Sequence, residues 1–283
     1  MQKAWRILEL LISTVIVLIL ITIAYLLFRP SQPAPVVDLP TLEPLPTFGV
    51  PPEVRQRIDA VANTANAEYL CPEFTDVGPV EVATCTDCLY YAVDKLHSLT
   101  ALYVPPLVRT ALPGGGMIRP EANVALTALF AAAQQQGLSP VITSAYRSFS
   151  EQVTTFQTWV VIEKQKQIPE ALAIERASRY SARAGHSEHQ LGTAVDINCS
   201  GCTPFDTSDG RNIALWDFLE KHAQEYGFAL SYPRGIEGLT GYQYEPWHVR
   251  YIGVPLATQL YGTGYVNGNG ICLTNFLRVK EPQ

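Results

Sequence analysis

The chain has 283 residues, of which 47% are hydrophobic and 16% are charged. This composition excludes a disordered or fibrous protein, and the length allows one or two domains. The net charge of −6, from 20 basic and 26 acidic residues, provides no basic excess for a nucleic-acid partner. The positive mean hydropathy of +0.08 indicates that one segment carries much of the apolar excess.

That segment is residues 10–28, LLISTVIVLILITIAYLLF, which are uncharged and mostly apolar. As a helix it would span about 28 Å, roughly the hydrocarbon core of a bilayer. A buried core helix seldom runs this long without a polar face, and a cleaved signal peptide would have a shorter apolar region and a small-residue cleavage site. Residues 1–29 are therefore predicted to form an uncleaved signal anchor, a single transmembrane helix.

The charges beside this helix predict its orientation. Lys3 and Arg6 precede the apolar run and only Arg29 follows it closely, so the positive-inside rule puts the N-terminus in the cytoplasm and the rest of the chain outside. Residues 30–52 contain eight prolines and are predicted to form an extended polyproline II stalk. A proline-rich ligand for a partner module is the alternative.

Hydrophobic periodicity and turn residues predict the elements that follow. Apolar residues at three- and four-residue steps come first and indicate a helix. A cysteine-containing loop follows, and then helices and short apolar strands that do not alternate regularly. This order predicts an α+β fold with a small antiparallel sheet and flanking helices. The predicted helices are 52–69, 119–136, 151–179 and 213–226, and the predicted strands are 140–144, 193–197 and 247–252.

Polar residues late in the chain provide the parts of a zinc site. His189, Asp196 and His248 are two imidazoles and a carboxylate, a sufficient protein set for a catalytic zinc that keeps its fourth position for water. Glu245, three residues before His248, could stand beside the metal as a general base. Spacing alone is weak support, because lone histidines on strands are more often ordinary packing residues.

Three ordered blocks resemble one enzyme family. SEHQLGTAVDI, which begins at Ser187, resembles the SxHxxGxAxD signature of VanY-like zinc D-alanyl-D-alanine carboxypeptidases, and EPWH followed by RYIG resembles the end of their core. SAYRSFSEQ, which begins at Ser144, is similar to a third block of that family. The resemblance covers residues 89–255. It implies a hedgehog/DD-peptidase-like zinc peptidase domain there, with a helical, cysteine-containing extension at 53–88 and a C-terminal extension at 256–283.

The resemblance also implies roles for individual residues. His189, Asp196 and His248 would be the ligands of one Zn²⁺ per chain, and Glu245 the catalytic base. Arg147 would support the substrate and the developing oxyanion, a role suited to an always-charged guanidinium. The less specific expectations are that Gln152 and Ser187 bind substrate, although either could instead cap a helix or hydrogen-bond a loop, and that Trp247 walls the pocket, although it could equally be a core residue.

Six cysteines allow two interpretations. Cys85 and Cys88, and Cys199 and Cys202, have the spacing within each pair of a structural zinc ribbon. Outside the membrane, however, an even count favours disulfides. We therefore predict disulfides, some of which join the extensions to the catalytic domain, without a unique pairing.

Together these features predict a membrane-anchored zinc carboxypeptidase that trims the C-terminal D-alanine of peptidoglycan stem peptides. An L,D-carboxypeptidase or a peptidoglycan endopeptidase on the same scaffold is the alternative within catalysis. A catalytically idle cell-wall binding domain is the alternative outside it, but such a domain has no need for a base at Glu245 beside three ligands. The oligomeric state is not predicted.

Overall fold

The computed structural model describes residues 52–62, 64–71 and 80–281, apart from the side chain of Val54. The predicted anchor and almost all of the predicted stalk lie outside these residues. Within the described ranges, no helix combines the length and apolar character needed to cross a membrane. The described residues belong to one unit, Pro46–Gln283.

Short strands form one larger and two smaller sheets in the described part of the chain. The strands are β1 (Glu81–Val82), β2 (His97–Ser98), β3 (Val108–Arg109), β4 (Met117–Ile118), β5 (Pro140–Ser144), β6 (Ala194–Cys199), β7 (Phe228–Leu230) and β8 (His248–Tyr251). The main sheet has the order β5-β6-β8-β7, and every neighbouring pair is antiparallel. All six residues of β6 are buried, so this strand is covered on both faces. The sheet confirms the predicted α+β class.

Helices pack around this sheet and supply a large part of the apolar core. They are α1 (Pro52–Ala62), α2 (Pro120–Gln135), α3 (Phe149–Lys164), α4 (Glu170–Ala177), α5 (Gly210–His222), α6 (Glu237–Thr240), α7 (Val254–Gly262) and α8 (Leu273–Lys280). The prediction of α2 is confirmed, with Pro120 in its first turn, where a missing N–H costs no hydrogen bond. Its apolar face, including Leu126 and Phe130, is buried in the main core.

Three of the predicted helices have different bounds in the structure. The predicted helix 151–179 is two helices, α3 and α4, because Gln167 has a positive φ of 59° and Pro169 lies just before α4. The predicted helix 213–226 begins at Gly210, after an Asp209 side chain that accepts from the Arg211 N–H.

The helix predicted over 52–69 ends at Ala62, and Ala67–Tyr69 forms a separate 3₁₀ turn. The predicted strands 193–197 and 247–252 occupy 194–199 and 248–251. Strand β7 and the two-residue strands β1 to β4 were not predicted from the sequence.

Both predicted extensions contribute to the main core. α7 and α8 bury Leu260, Phe276 and Leu277 in the same apolar cluster as the sheet. Tyr69 joins this cluster, with its ring 5.0 Å from that of Phe276. The segments before and after the predicted catalytic domain therefore fold together.

Three disulfides are present. Cys85 pairs with Cys88, Cys199 pairs with Cys202, and Cys71 pairs with Cys272 across 201 positions of sequence. No described cysteine is free, so the ribbon-like zinc site is wrong and the predicted disulfides are found. The Cys71–Cys272 bond joins the two extensions to each other, and the other two bonds are local. The prediction that some disulfides join an extension to the catalytic domain is therefore wrong.

Candidate active site

The register of the main sheet places three polar residues side by side. Asp196 on β6 is directly opposite His248 on β8, and Ser144 on β5 is opposite Asp196 on its other side. Directly opposed residues of antiparallel strands project from the same face. Strand pairing therefore brings together residues that are 52 positions apart in sequence.

His189 reaches the same place from the 3₁₀ helix Glu188–Leu191, immediately before β6. The Ser187 hydroxyl accepts from the His189 N–H and caps this turn, and Gly192 ends it with a φ of 71°. The His189 ring donates from Nδ1 to the Ala145 carbonyl, 2.7 Å away. This bond directs Nε2 towards Asp196.

His189, Asp196 and His248 form a group that could hold a metal ion. Asp196 Oδ2 lies 3.3 Å from His189 Nε2, and Asp196 Oδ1 lies 3.0 Å from His248 Nδ1. The candidate ligand atoms all lie within 4.8 Å of one another, and all three residues are buried. Two imidazoles and a carboxylate fit catalytic zinc, whose tetrahedral ligands at about 2.0–2.2 Å lie roughly 3.4 Å apart.

A second group, of Cys199, Cys202 and Asp209, has similar proximity. Its two sulfur atoms are joined in a disulfide, so they provide no thiolate ligands. The histidine-containing group is the better metal site among the described residues.

A cavity of about 400 Å³ opens onto the histidine-containing group. Glu245, Arg147, Ser187 and Trp247 all line it together with His189 and His248. The structure therefore brings most of the residues predicted for the site to one cavity.

Glu245 is held beside the ligand group by a tight turn. The Glu245 carbonyl accepts from the His248 N–H at 3.1 Å, and the Glu245 N–H donates to the Tyr232 carbonyl at 3.1 Å. Burial raises the pKa of the Glu245 carboxyl to about 8, aided by the negative charge of Asp196 and opposed by His248. A carboxyl with a pKa near the working pH can both take and return a proton.

Arg147 follows β5 and is fixed by two neighbouring side chains. Its Nη1 donates to Gln152 Oε1 at 2.6 Å, and its Nη2 donates to Ser144 Oγ at 2.7 Å. Burial lowers the pKa of the guanidinium, and the negative charges of Asp196 and Glu245 oppose that shift.

Gln152, predicted to bind substrate, lies behind Arg147. Its side-chain amide donates to the Ala182 carbonyl at 2.6 Å and accepts from Arg147, and it is not part of the cavity lining. The loop-bonding alternative describes its observed contacts. Trp247 fits both of its alternatives, because it lines the cavity and also packs its ring 5.5 Å from that of Trp216 in the core.

Sequence reasoning missed a buried polar network behind His248. Glu188 Oε2 lies 2.9 Å from His248 Nε2 and accepts from the Ser231 hydroxyl at 2.6 Å, while Oε1 accepts from Arg250 at 3.0 Å. One signal was available: His248 and Arg250 alternate on β8, so both face the same side of the strand. Nothing in the motif pointed to Ser231, which lies just after the short strand β7.

Charged and hydrogen-bonding partners shift the pKa values of the buried groups in this network. Burial opposes ionisation of Glu188, but Arg250 and His248 lower its pKa to about 2. His189 and His248 likewise hold the pKa of Asp196 far below its ordinary value, against the effect of burial. Burial lowers the pKa of His248, yet its hydrogen bonds to the two carboxylates raise it to about 10.

Comparison with known proteins finds similarity to carboxypeptidases. The family model "VanY: D-alanyl-D-alanine carboxypeptidase" matches residues 116–254. A D-alanyl-D-alanine carboxypeptidase of Enterococcus faecalis is 34% identical over 189 residues, which are 67% of this chain and 65% of that protein. The putative carboxypeptidase YodJ of Bacillus subtilis is 36% identical over 206 residues, 68% of this chain and 72% of that protein.

Solved structures agree with these sequence matches. VanYB in complex with D-alanine-D-alanine has a TM-score of 0.59 at 30% identity, over 68% of this chain and 99% of that one. A mutant of the vancomycin resistance D,D-pentapeptidase VanY in complex with Zn(II) has a TM-score of 0.58 at 31% identity, over 67% and 98% of the two chains. The LD-carboxypeptidase LdcB has a TM-score of 0.58 at 27% identity, over 75% and 95%.

The family match spans every residue of the histidine-containing group and the cavity residues Arg147 and Glu245. The relative from B. subtilis is matched over more than two thirds of its length, and the main features of the fold are shared with solved VanY structures. The main sheet and the arrangement of Glu245 beside the histidine-containing group agree with these matches. The matches show that the chain belongs to the VanY family of D-alanyl-D-alanine carboxypeptidases.

Proposed function

We propose that this protein is a zinc-dependent D-alanyl-D-alanine carboxypeptidase that removes the C-terminal residue of peptidoglycan stem peptides. The observation that carries the proposal is the grouping of His189, Asp196 and His248 within 4.8 Å of one another, beside a cavity that His189, His248 and Glu245 line. A binding module would have no use for a buried acid with a raised pKa beside such a group. The complex of VanYB with D-alanine-D-alanine supports the substrate class.

Each residue of the site would have its own role in the reaction. His189, Asp196 and His248 would hold one zinc ion per chain, which when bound supplies a Lewis acid for the scissile carbonyl and the attacking water. Glu245 would accept a proton from that water and return it to the amine of the leaving D-alanine. Arg147, preset by Gln152 and Ser144, would stabilise the developing oxyanion or the terminal carboxylate of the peptide.

The test separates proton transfer from metal binding. Glu245→Gln is expected to keep one zinc per chain but to lose activity by about 10²-fold or more, because an amide preserves shape and cannot accept the proton. His248→Ala is expected to lose both zinc and activity, because two protein ligands are too few for a stable catalytic site. Zinc content by elemental analysis and D-alanine release from a pentapeptide would be measured. Hydrolysis at the parental rate by a zinc-loaded Glu245→Gln protein would disprove the assigned mechanism.

L,D-carboxypeptidase activity is the competing candidate, because the LD-carboxypeptidase LdcB has a similar fold. We expect the purified protein to shorten muropeptides with pentapeptide stems by one D-alanine and to leave tetrapeptide stems intact. Mass spectrometry of the two digests distinguishes the activities. Shortening of tetrapeptides alone would favour the L,D-activity, and cleavage of cross-links would indicate an endopeptidase.

We also propose that the enzyme is anchored in the cell membrane by residues 1–29, with its catalytic domain outside and its N-terminus in the cytoplasm. The uncharged run at 10–28 and the preceding Lys3 and Arg6 support this arrangement. The three disulfides support an oxidising, extracytoplasmic location. Protease added to intact, wall-stripped cells should remove the catalytic domain. Full protection would contradict this topology, and recovery of a mature form without residues 1–28 would indicate a cleaved signal peptide.

A further inference from the structure

Glu188 is a buried acid that the proposed mechanism does not use. It is only 1% exposed, and its carboxylate makes hydrogen bonds with three side chains, those of Ser231, His248 and Arg250. An ionised carboxylate is expensive to bury unless charged and hydrogen-bonding partners compensate it. These partners provide that compensation, and one of them is a residue of the candidate zinc site.

The two histidines of that site are oriented in different ways. His189 donates from Nδ1 to the Ala145 carbonyl and presents Nε2 to Asp196. His248 is reversed, with Nδ1 facing Asp196 and Nε2 facing Glu188. The hydrogen bond to Glu188 Oε2, at 2.9 Å, occupies His248 Nε2. The nitrogen left to bind a metal is therefore Nδ1.

Arg250 links this contact to a distant part of the chain. Its side chain is fully buried and donates from Nη1 to Glu188 and from Nη2 to the carbonyls of Leu89 and Tyr91, at 3.0 and 2.9 Å. The guanidinium balances the charge of Glu188 and fixes the position of its carboxylate. The segment at residues 89–91 thus supports His248 through two charged side chains.

We infer that Glu188 is a positioning residue for the metal site, which holds the His248 ring in the orientation that presents Nδ1 to zinc. The inference rests on the proposed zinc-dependent function. A carboxylate that accepts the second N–H of a metal-bound histidine fixes its ring and increases its strength as a ligand. Loss of such a partner typically weakens metal binding by about 10- to 100-fold.

The first test uses the parent protein, which has only five histidines. In the zinc-loaded full-length chain labelled with ¹⁵N-histidine, long-range ¹H–¹⁵N spectra should show His248 with a protonated Nε2 and a metal-bound Nδ1. His189 should show the opposite arrangement. Zinc bound through Nε2 of His248 would overturn the inference while leaving the proposed function intact. A parent protein that binds no zinc would overturn both.

The second test compares two buried carboxylates. Glu188→Gln is expected to weaken zinc binding by about 10- to 100-fold in competition with a chelator. The matched control is Glu163→Gln, because Glu163 is also buried and bonds to Lys166 and Tyr180 but contacts no candidate ligand. The control should keep the parental zinc affinity within about twofold.

Equal losses of zinc affinity in the two variants would show a general effect of losing a buried charge and would overturn the inference. Parental affinity in Glu188→Gln would do the same. If Glu188→Gln fails to fold, the spectra of the parent protein still decide the question, because they require no substitution.

Discussion

At the scale of single residues, Arg147 depends on a partner that lies outside the cavity. Gln152 accepts from the Arg147 guanidinium and donates to the Ala182 carbonyl, so it connects the arginine to the segment after α4. Its effect on catalysis should therefore pass through Arg147. This places Gln152 among the residues that orient the site.

We predict that Gln152→Leu lowers kcat/KM by about 10-fold or more without changing zinc affinity, since small displacements of a positioned group can cost up to about 10²-fold. Leucine has a similar volume but cannot hold the guanidinium. Steady-state kinetics and chelator competition on one preparation would test this. A loss of zinc in proportion to activity would instead place Gln152 in support of the metal.

The family resemblance, more than residue spacing alone, predicted that His189, Asp196 and His248 would lie together beside Glu245. Neither revealed the roles of Glu188 and Arg250. A glutamate next to a histidine is usually a solvated residue, and its burial follows only from packing of the turn against β8 and the segment at residues 89–91. Supporting contacts of this kind depend on tertiary structure, which residue types do not encode locally.

At the scale of elements, the turn that carries His189 depends on Gly192. This residue has a φ of 71°, and an added Cβ would lie 2.9 Å from Leu107 Cδ2 and 3.0 Å from Pro105 Cγ. Gly137, just after α2, has a similar φ of 76° but open space around it. Substitutions at Gly137 and Gly192 therefore distinguish the cost of a left-handed backbone from the cost of steric crowding.

Gly137→Ala is expected to lower the free energy of unfolding by about 1–2 kcal/mol, the ordinary cost of a left-handed conformation. Gly192→Ala should cost more, because the proline ring cannot move aside easily, and it should also weaken zinc binding by displacing His189. Urea denaturation and chelator competition would measure both effects. Equal destabilisation by the two substitutions, with zinc affinity retained, would show that the crowding at Gly192 is relieved without cost.

Element types were predicted more successfully than element bounds. Periodicity found α2 and β5 because each has a clear apolar pattern. Periodicity alone predicted one helix in place of α3 and α4, because the apolar pattern continues through the break between them. Pro169 was a visible signal of that break. Strand β7 has only three residues, too few to show an alternation, and it exists because β8 offers it a paired edge.

At the scale of the whole molecule, the Cys71–Cys272 bond should be the main covalent contribution to stability. The chain-entropy relation assigns about 5 kcal/mol to a bond across this separation and about 2 kcal/mol to one as local as Cys85–Cys88. We predict a correspondingly larger loss of unfolding free energy for Cys71→Ala/Cys272→Ala than for Cys85→Ala/Cys88→Ala. Urea denaturation without reductant would measure both, and an equal loss would argue against a major role for the long-range bond.

The C-terminal helix α8 is also tied to the start of the catalytic domain by charge. Arg278 contacts the Asp94 carboxylate, which also hydrogen-bonds His97, while Glu81 lies 3.8 Å from His97 on its other side. Burial opposes ionisation of Asp94, but its bond to His97 and the charge of Arg278 hold its pKa below the ordinary value. This ionised carboxylate therefore stabilises the fold above the unfolded-state pKa of about 3.9.

The stabilisation by Asp94 should disappear as the pH falls through the lower folded-state pKa. Asp94→Asn is expected to be less stable than the parent by about 1–2 kcal/mol at pH 6, and the difference should be smaller at pH 3, below the unfolded-state pKa. Urea denaturation at both pH values would test this. Asp217→Asn, at an exposed position of α5, is the control, and a difference that persists undiminished at pH 3 would contradict the role of the charge.

The position of the Cys71–Cys272 bond also determines what happens to the molecule after proteolytic cleavage. All residues assigned to the candidate site, from Arg147 to His248, lie between these two cysteines in sequence. A single cut in any loop within that interval opens the chain but leaves both pieces covalently joined. Such a nicked molecule would migrate as one species on a non-reducing gel and as two after reduction, and its catalytic parts would stay together after cleavage.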